Sequence, residues 1–461
     1  LKDKNMANHR CATTALLFVL AFLSIFLVIV ATTLAQQVQS PIVLTLEKAI
    51  SIALKQNRDV LIAEKDRSKA DAQVGEAWAG ALPQLYLSGQ YSRNILKPVL
   101  FIPPNNPINP TNETAIFEIG SNNAYQMGAS LMQPLFSKRV GLALQIANTY
   151  RDYSQQSYRA TEQSVIRDVK KAFYLVLLAQ KLVEANRQGL DVVKANYENV
   201  QALYRNGTAA EFDVLRAEVQ LANTEPMLIS AENNLALAIN ALKNLLAIPL
   251  EQEVTLEGDF TFVETPPTTL AEARQVAIAK NPTILQLALQ ESILEKNIGI
   301  ERAGHYPVLN LVGGYAWQSQ DNTYQFKNYN WANTLNVGVA LSFPLFDGRR
   351  ASERVQQAII DRQKVHYARL KLEEGIKIQI QAAELRMVEA QKRIAGQEKN
   401  IAQAQKAVRI AQTRFQSGVG TQLELLDSQV AMTRAQTNYA QAIYDYLVAQ
   451  AEWDYGVGKT E

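Results

Sequence analysis

The side chains best placed for chemistry in this sequence are three acids. Asp213, Glu424 and Asp427 follow two short glycine-bearing segments, Arg205-Asn206-Gly207-Thr208 and Gln416-Ser417-Gly418-Val419-Gly420-Thr421. Thr208 and Glu211 stand three residues apart, as do Thr421 and Glu424. That is the spacing of a capping box, in which the threonine accepts a backbone N–H and the acid accepts the threonine's own. Helix-start hydrogen bonding alone would explain Glu211 and Glu424. The functional alternative puts Asp213, Glu424 and Asp427 at the far end of a helical tube, where copies of the chain would gather carboxylates round one axis. Such a ring favours cations at an aperture.

Catalysis finds little support. Beyond His9 the histidines are His305, beside a strand start, and His366, within a long helical stretch. Surface or packing roles explain both. No metal-ligand spacing and no cofactor motif appears. Gly458-Lys459-Thr460 is like the end of a phosphate loop, but Trp453 occupies the place of its first glycine.

Elements long enough to carry those acids dominate the composition, which is 48% hydrophobic and 20% charged over 461 residues. Residues 1–35 are set aside as a signal peptide with upstream residues, the peptide itself starting at Met6. His9 and Arg10 precede the apolar run from Ala15 to Val30, and Thr33-Leu34-Ala35 supplies small residues for cleavage. A retained membrane anchor over 12–35 is the rival reading. The one cysteine, Cys11, lies before the apolar run, so the mature chain is cysteine-free. Removing the leader takes three of 46 basic and one of 44 acidic residues, which balances the charge and leaves no electrostatic reason to expect nucleic acid.

The acids hang from a pattern written twice. At 125–141 (YQMGASLMQPLFSKRVG) and 335–351 (LNVGVALSFPLFDGRRA) an alternating run meets Pro-Leu-Phe, at Pro134 and Pro344, and a segment of helix-forming composition follows. Proline cannot donate inside a sheet but is tolerated in a first helical turn, so it is expected to hand strand to helix. Upstream, Pro83 and Pro307 precede matching strand candidates at an offset of 224, whereas Pro134 and Pro344 are 210 apart and Gly207 and Gly418 are 211 apart. The first half therefore holds the longer strand-to-strand loop, through Pro98 to Pro110, expected to be exposed. The domain reading is a first repeat at 36–249, a connecting segment at 250–268 and a second repeat at 269–461, each repeat running helix, strand, strand, helix, helix. Soft helix breaks are expected at Asn57 and Asn281.

Four uncharged strand candidates result, about 84–92, 125–133, 309–318 and 335–343. Leu85, Leu87, Gly89 and Tyr91 share one face of the first, and Leu335, Val337, Val339, Leu341 and Phe343 share one face of the fourth. Alternation over about ten residues with aromatics near the ends is how a transmembrane barrel strand reads. A pair of soluble hairpins is the bland alternative. An exported chain, polar faces without Lys or Glu, and long aromatic loops favour the membrane. Four strands cannot close a barrel, so the chain must assemble with copies of itself. Helical stretches at 137–204 and 346–415 would each reach about 100 Å. They return through 211–247, which Pro226 should bend, and 422–455, whose seam is Leu423, Leu426, Val430, Thr433, Thr437, Ala440, Tyr444 and Leu447.

With the duplication, the Pro-Leu-Phe joints, the turns RNGTAAEFDVLRAE and SGVGTQLELLDSQ, and Leu245 to Pro249 (LLAIP) in view, the mature chain resembles the TolC-like outer membrane factor family. The resemblance implies a mainly α fold with transmembrane β: four strands per chain in a shared 12-stranded trimeric barrel, continued by long antiparallel helices as a periplasmic α-barrel. It implies a passive export duct for small molecules or proteins, without catalysis or cofactor, in the outer membrane. Its implied partners are sister chains, outer membrane lipid, a periplasmic adaptor and an inner-membrane transporter. The alternative is a periplasmic coiled-coil adaptor or structural protein. By the same resemblance, Asp213, Glu424, Asp427 and Phe415 mark the periplasmic aperture, and Gly207, Thr208, Gly418, Gly420 and Thr421 mark the helix-turn tips that an adaptor would touch. Gly420 stands where the family's best-known pattern has arginine, so closure would rest on packing and acid repulsion in place of an interhelical ion pair.

Overall fold

The computed structural model describes residues 41–263, 269–325, 327 and 329–459. The expected signal peptide lies outside the described residues. The chain begins with β1 (Ile42–Leu44), α1 (Leu46–Gln56) and α2 (Arg58–Ala79). Asn57 makes the break between the helices: its Oδ1 accepts the N–H groups of Asp59 and Val60 at 2.8 and 3.3 Å, while Nδ2 donates to the Leu245 carbonyl at 2.8 Å. One side chain thus caps α2 and holds the end of a distant helix. There follow β2 (Gln84–Arg93), β3 (Val99–Ile102), β4 (Ala115–Glu118), β5 (Asn123–Phe136), α3 (Lys138–Arg205) and α4 (Glu211–Leu245). The connecting segment holds β6 (Val254–Leu256), and the second half contains α5 (Leu270–Lys280), α6 (Pro282–Arg302), β7 (Val308–Asp321), β8 (Ala332–Ser342), α7 (Arg350–Gln416) and α8 (Gln422–Val457). Asn281 repeats the role of Asn57, capping Thr283 N–H at 3.0 Å and donating to the Gly456 carbonyl at 3.3 Å.

The expected strands form one antiparallel sheet in the order β2-β5-β7-β8. Its register aligns Leu85, Leu131, Gly313 and Val337 in one row and Leu87, Ala129, Tyr315 and Leu335 in another, so one face is mainly apolar, with Gln133 and Asn333 at its ends. The other face carries Gln84, Tyr86, Ser88, Ser130, Gly314 and Asn336. Every residue of β8 is exposed, Leu335 and Val337 above 70%, and the outer edges of β2 and β8 have no strand beside them among the described residues. Charges enter only at the last positions, Arg93 and Asp321, at the loop end. There Tyr125 packs against Tyr91 and Tyr329 with ring centroids 4.8 and 5.3 Å apart.

Three expectations are corrected, two at the joints and one in the loop between β2 and β5. Pro134 does not stop its strand, because β5 continues to Phe136 through a bulge that leaves Leu135 unpaired against β7. Pairing with β2 ends at Met132, so the missing N–H of Pro134 breaks no bond on that side. Pro344 does not open a helix either. α7 starts six residues later, after a turn in which Gly348 and Arg349 both adopt positive φ and the Asp347 carboxylate accepts the Ala351 N–H at 2.8 Å. That bond, first, and the nearby His305 hold the Asp347 carboxyl below the usual carboxylate range. The stretch around Pro98 to Pro110 is exposed as expected, but β3 and β4 on its flanks pair as a hairpin. Pro83 and Pro307 sit where expected, immediately before β2 and β7.

The helical body has its core where the short elements meet α3. The parallel pair β1 and β6, with α1, buries Leu44, Val60, Phe173, Leu242 and Leu246 together. Across α7 and α8, Ile394, Ala442, Ile443 and Tyr446 form a second cluster, against which Tyr174, Phe260 and Phe262 pack. The connecting segment therefore lies over both halves, with Phe262 edge-on to Tyr446 at 4.7 Å. Ion pairs cross from helix to helix: Lys170–Asp454 and Lys171–Glu452 at 3.4 Å, Arg386–Glu452 at 2.8 Å, and Arg393–Asp445. α4 runs through Pro226 without interruption. Of the expected seam on α8, Leu426, Ala440 and Leu447 are buried, while Leu423 and Val430 are exposed within a single chain. Among the described residues no helix is long and apolar enough to cross a membrane.

Candidate functional site

The two helix reversals are built alike, and for a readable reason. After α3, Asn206 ends the helix, Gly207 takes φ +74°, and the N–H groups of Gly207 and Thr208 return to the carbonyls of Tyr204 and Leu203 at 2.9 and 3.0 Å. After α7, Ser417 ends the helix, Gly418 takes φ +73°, and the N–H groups of Gly418 and Val419 return to Phe415 and Arg414 at 3.1 Å each. Both are Schellman turns, in which glycine supplies the left-handed residue.

The restart of the helices differs from the capping-box expectation. α4 starts after Ala210, whose N–H is accepted by the Asp213 carboxylate at 3.2 Å, and Thr208 instead donates its hydroxyl to the Leu203 carbonyl at 3.0 Å. Asp213, not Glu211, is thus the acid that closes this turn. Thr421 does cap α8, accepting the Glu424 N–H at 3.2 Å. The Glu424 carboxylate turns away to Arg414, whose Nε lies 3.4 Å from Oε2. Arg414 also donates to the Val419 carbonyl at 3.4 Å, so an ion pair ties the hairpin to its own turn. The arginine comes from the helix before the turn, a position to which the sequence reading assigned nothing.

Gly420 has a steric explanation. A Cβ at this position would lie 2.8 Å from the Arg414 Cβ and 3.0 Å from both the Arg414 carbonyl carbon and the Phe415 nitrogen. Two of those atoms are backbone, so no side chain fits without moving the turn. An arginine at position 420 is incompatible with this hairpin geometry, and Arg414 occupies the adjoining space.

The two turns lie side by side around a recess of about 540 Å³ whose walls include Thr208, Asp213, Phe415, Gly418, Gly420 and Thr421. It brings together residues more than 200 positions apart. Glu424 is held by Arg414 and does not line it, and Asp427 is exposed one turn further along α8. Gln422, also in the wall, is only 6% exposed and neither of its side-chain polar atoms has a protein partner. Beyond the recess the tips present apolar surface to solvent at Phe212, Val219 and Val419, each at least 60% exposed. Among the described residues no group of His, Cys, Asp or Glu is placed to hold a metal ion.

Two long helical hairpins on a four-stranded sheet are matched in known proteins. The outer membrane efflux protein family matches residues 49–247 and 273–453. The chain belongs to the outer membrane efflux protein family. Its place there makes it an outer membrane efflux or secretion duct protein, and family and fold are those of channel proteins. The alkaline protease secretion protein AprF of Pseudomonas aeruginosa is 25% identical over 73% of this chain and 70% of its own length. Outer membrane protein TolC of Vibrio cholerae is 24% identical over 72% of this chain and 76% of its own. Among solved structures, the Campylobacter jejuni CmeC outer membrane channel superposes with a TM-score of 0.74 at 18% identity, covering 90% of this chain and 85% of the other. Within this efflux protein the acids at the turns are accordingly an aperture candidate rather than an active site.

Proposed function

We propose that three copies of this chain form one passive duct, each giving four strands to a 12-stranded outer membrane barrel and two helical hairpins to a tube across the periplasm. The observation that carries this reading is the open sheet. Its apolar face and its two unpaired edges, on β2 and β8, cannot both be left in lipid by a single chain, because each unsatisfied backbone group in hydrocarbon costs several kcal/mol. Sister chains pairing β8 of one with β2 of the next would satisfy every edge and turn the polar faces inward, around a water-filled lumen. Duplication of the chain, with repeats at 36–249 and 269–461 joined by 250–268, is supported by the matching roles of Asn57 and Asn281.

The helix tips form the periplasmic aperture. Asp213 and Phe415 line it together, and the Arg414–Glu424 pair fixes one hairpin beside it; Asp427 stands exposed on α8. Gly207, Thr208, Gly418, Gly420 and Thr421 are the surface offered to a periplasmic adaptor, which joins the duct to an inner-membrane transporter. Small molecules or proteins then leave through the lumen without any catalytic step. A leader at 1–35 directs export. The test is single-channel recording of the purified mature protein in planar bilayers. Stable conductance steps are expected, increased in the Asp213→Ala, Glu424→Ala double variant. Recovery of the protein only in the soluble periplasmic fraction would refute the duct, and unchanged conductance and selectivity in the double variant would refute the gate.

A further inference from the structure

The β3–β4 hairpin carries large apolar side chains on both faces, with Glu118, paired to Lys97 at 3.7 Å, the one charge within its strands, and it stands free. Its register pairs Leu100 with Phe117 and Ile102 with Ala115 on one face, and Phe101 with Ile116 and Val99 with Glu118 on the other. Leu100 and Phe117 are 48% and 50% exposed, and Phe101 and Ile116 are 62% and 61%. A two-stranded hairpin is marginal in water unless a face is packed, and this one leaves both faces open in the single chain. Yet it is not loosely built. Asn109, 3% exposed, donates to the carbonyls of Ile102, Pro103 and Glu113 at 2.8–3.2 Å, and its Oδ1 accepts the Thr111 hydroxyl at 2.6 Å. The hairpin also continues the β2–β5 ribbon directly: Asn94 donates its N–H to Asn122 at 2.8 Å, and Ile119 donates to the Pro98 carbonyl at 2.7 Å. An ordered, two-sided apolar element therefore projects beyond the loop end of the sheet, above the edge strand β2.

We propose that this hairpin is an interface between sister chains, the three copies packing face to face across the outer mouth of the duct. The proposal rests on the trimeric reading above and deepens it. A closed ring needs two different complementary surfaces on each copy, one toward each neighbour, and the Leu100–Phe117 and Phe101–Ile116 faces are two such surfaces. Lipid or a single external cap would call for one apolar face and one wet one. The reach fits as well. Twelve strands spaced about 4.8 Å and tilted about 40° give a barrel radius of about 12 Å. The nine residues from Asn94 to Ile102, bent at Ile95 and Leu96, span at most about 26 Å, a reach that exceeds the barrel radius and allows three hairpins to meet on the axis. Their contact narrows or closes the exit on the outer side, at the opposite end from the acidic aperture.

Because the sequence has one cysteine, Cys11, within the expected leader, cross-linking tests this cleanly. Leu100→Cys and Ile116→Cys place thiols on opposite faces of one hairpin, where they cannot bridge within a copy. Under mild oxidation of native outer membranes the double variant is expected to give covalent trimers on a non-reducing gel, with each single variant giving less than a tenth as much. Native electrophoresis of the same samples reports whether trimers are present. Trimers that do not cross-link would overturn the hairpin interface while leaving the duct intact, whereas monomers would overturn the duct itself. A bimane probe on Phe101→Cys that is quenched by spin-labelled lipid would also overturn the proposal, by placing the hairpin in the membrane surface. As an independent readout, Phe101→Ser with Ile116→Ser is expected to raise single-channel conductance at least twofold, and unchanged conductance would count against closure of the mouth.

Discussion

At the scale of single residues, the turn at 414–424 is the most constrained part of the candidate aperture. Gly420→Arg must displace backbone, and overpacking of this kind costs about 1–3 kcal/mol. Faster amide hydrogen exchange over 414–424 is the expected outcome, with the helical body unaffected. Arg414→Ala has the opposite profile. The Arg414 and Glu424 side chains are about half exposed, and such pairs contribute about 0–1 kcal/mol, so the melting temperature should hardly move while conductance in planar bilayers rises. Farther up the tube, burial first, and the Asp454 charge second, push the Tyr174 hydroxyl above its ordinary value. A raised folded-state pKa means that the unfolded chain loses this proton first, so the stabilisation is complete below about pH 10 and is lost as pH rises through the folded value. Tyr174→Phe should therefore lessen the fall in melting temperature above pH 10 and change nothing at pH 7. Much of this site was legible in sequence, since Asp213, Phe415 and both glycine turns do converge. Arg414 was not, because an arginine in the last turn of a helix reads as ordinary macrodipole complement; only the approach of Gly420 to its backbone reveals why the charge comes from there.

At the scale of elements, paired asparagines fix where helices break. Asn57→Ala removes a cap and a contact to the Leu245 carbonyl, and caps of this type contribute about 1 kcal/mol; Asn281→Ala should behave alike. Urea unfolding of the detergent-solubilised protein checks both, and equal stability to the parent would show that the breaks are set elsewhere. Phe173→Ala, at 1% exposure in the core beneath β1 and β6, should cost about 3–5 kcal/mol. The long helices, their turns and the two asparagine breaks follow from periodicity and capping residues, which act locally. The strands were placed within three residues at each end, because alternation ends gradually where loops begin. Proline misled at both joints for a tertiary reason: Pro134 is tolerated where β2 no longer pairs with β5, and the Asp347-Gly348-Arg349 turn, not Pro344, sets the start of α7. The hairpin at β3 and β4 was hidden by five nearby prolines and by strands of only four residues.

At the scale of the whole molecule, the proposed assembly rests on the edges of β2 and β8, which have no strand beside them among the described residues and whose hydrogen-bonding groups would need another copy as partner in a membrane. The same geometry places the acid-bearing helix turns at one end of each chain and the β3–β4 hairpin at the other, so the proposed lumen would be restricted at two separate points. The most direct measurement is the symmetry of the mature protein in lipid nanodiscs, imaged by single-particle electron microscopy. The duct predicts three-fold particles with a barrel in the disc, a tube about 100 Å long projecting from one side, and β2 of each chain beside β8 of the next. Monomeric particles, or sheets with those two edges left apart, would contradict it.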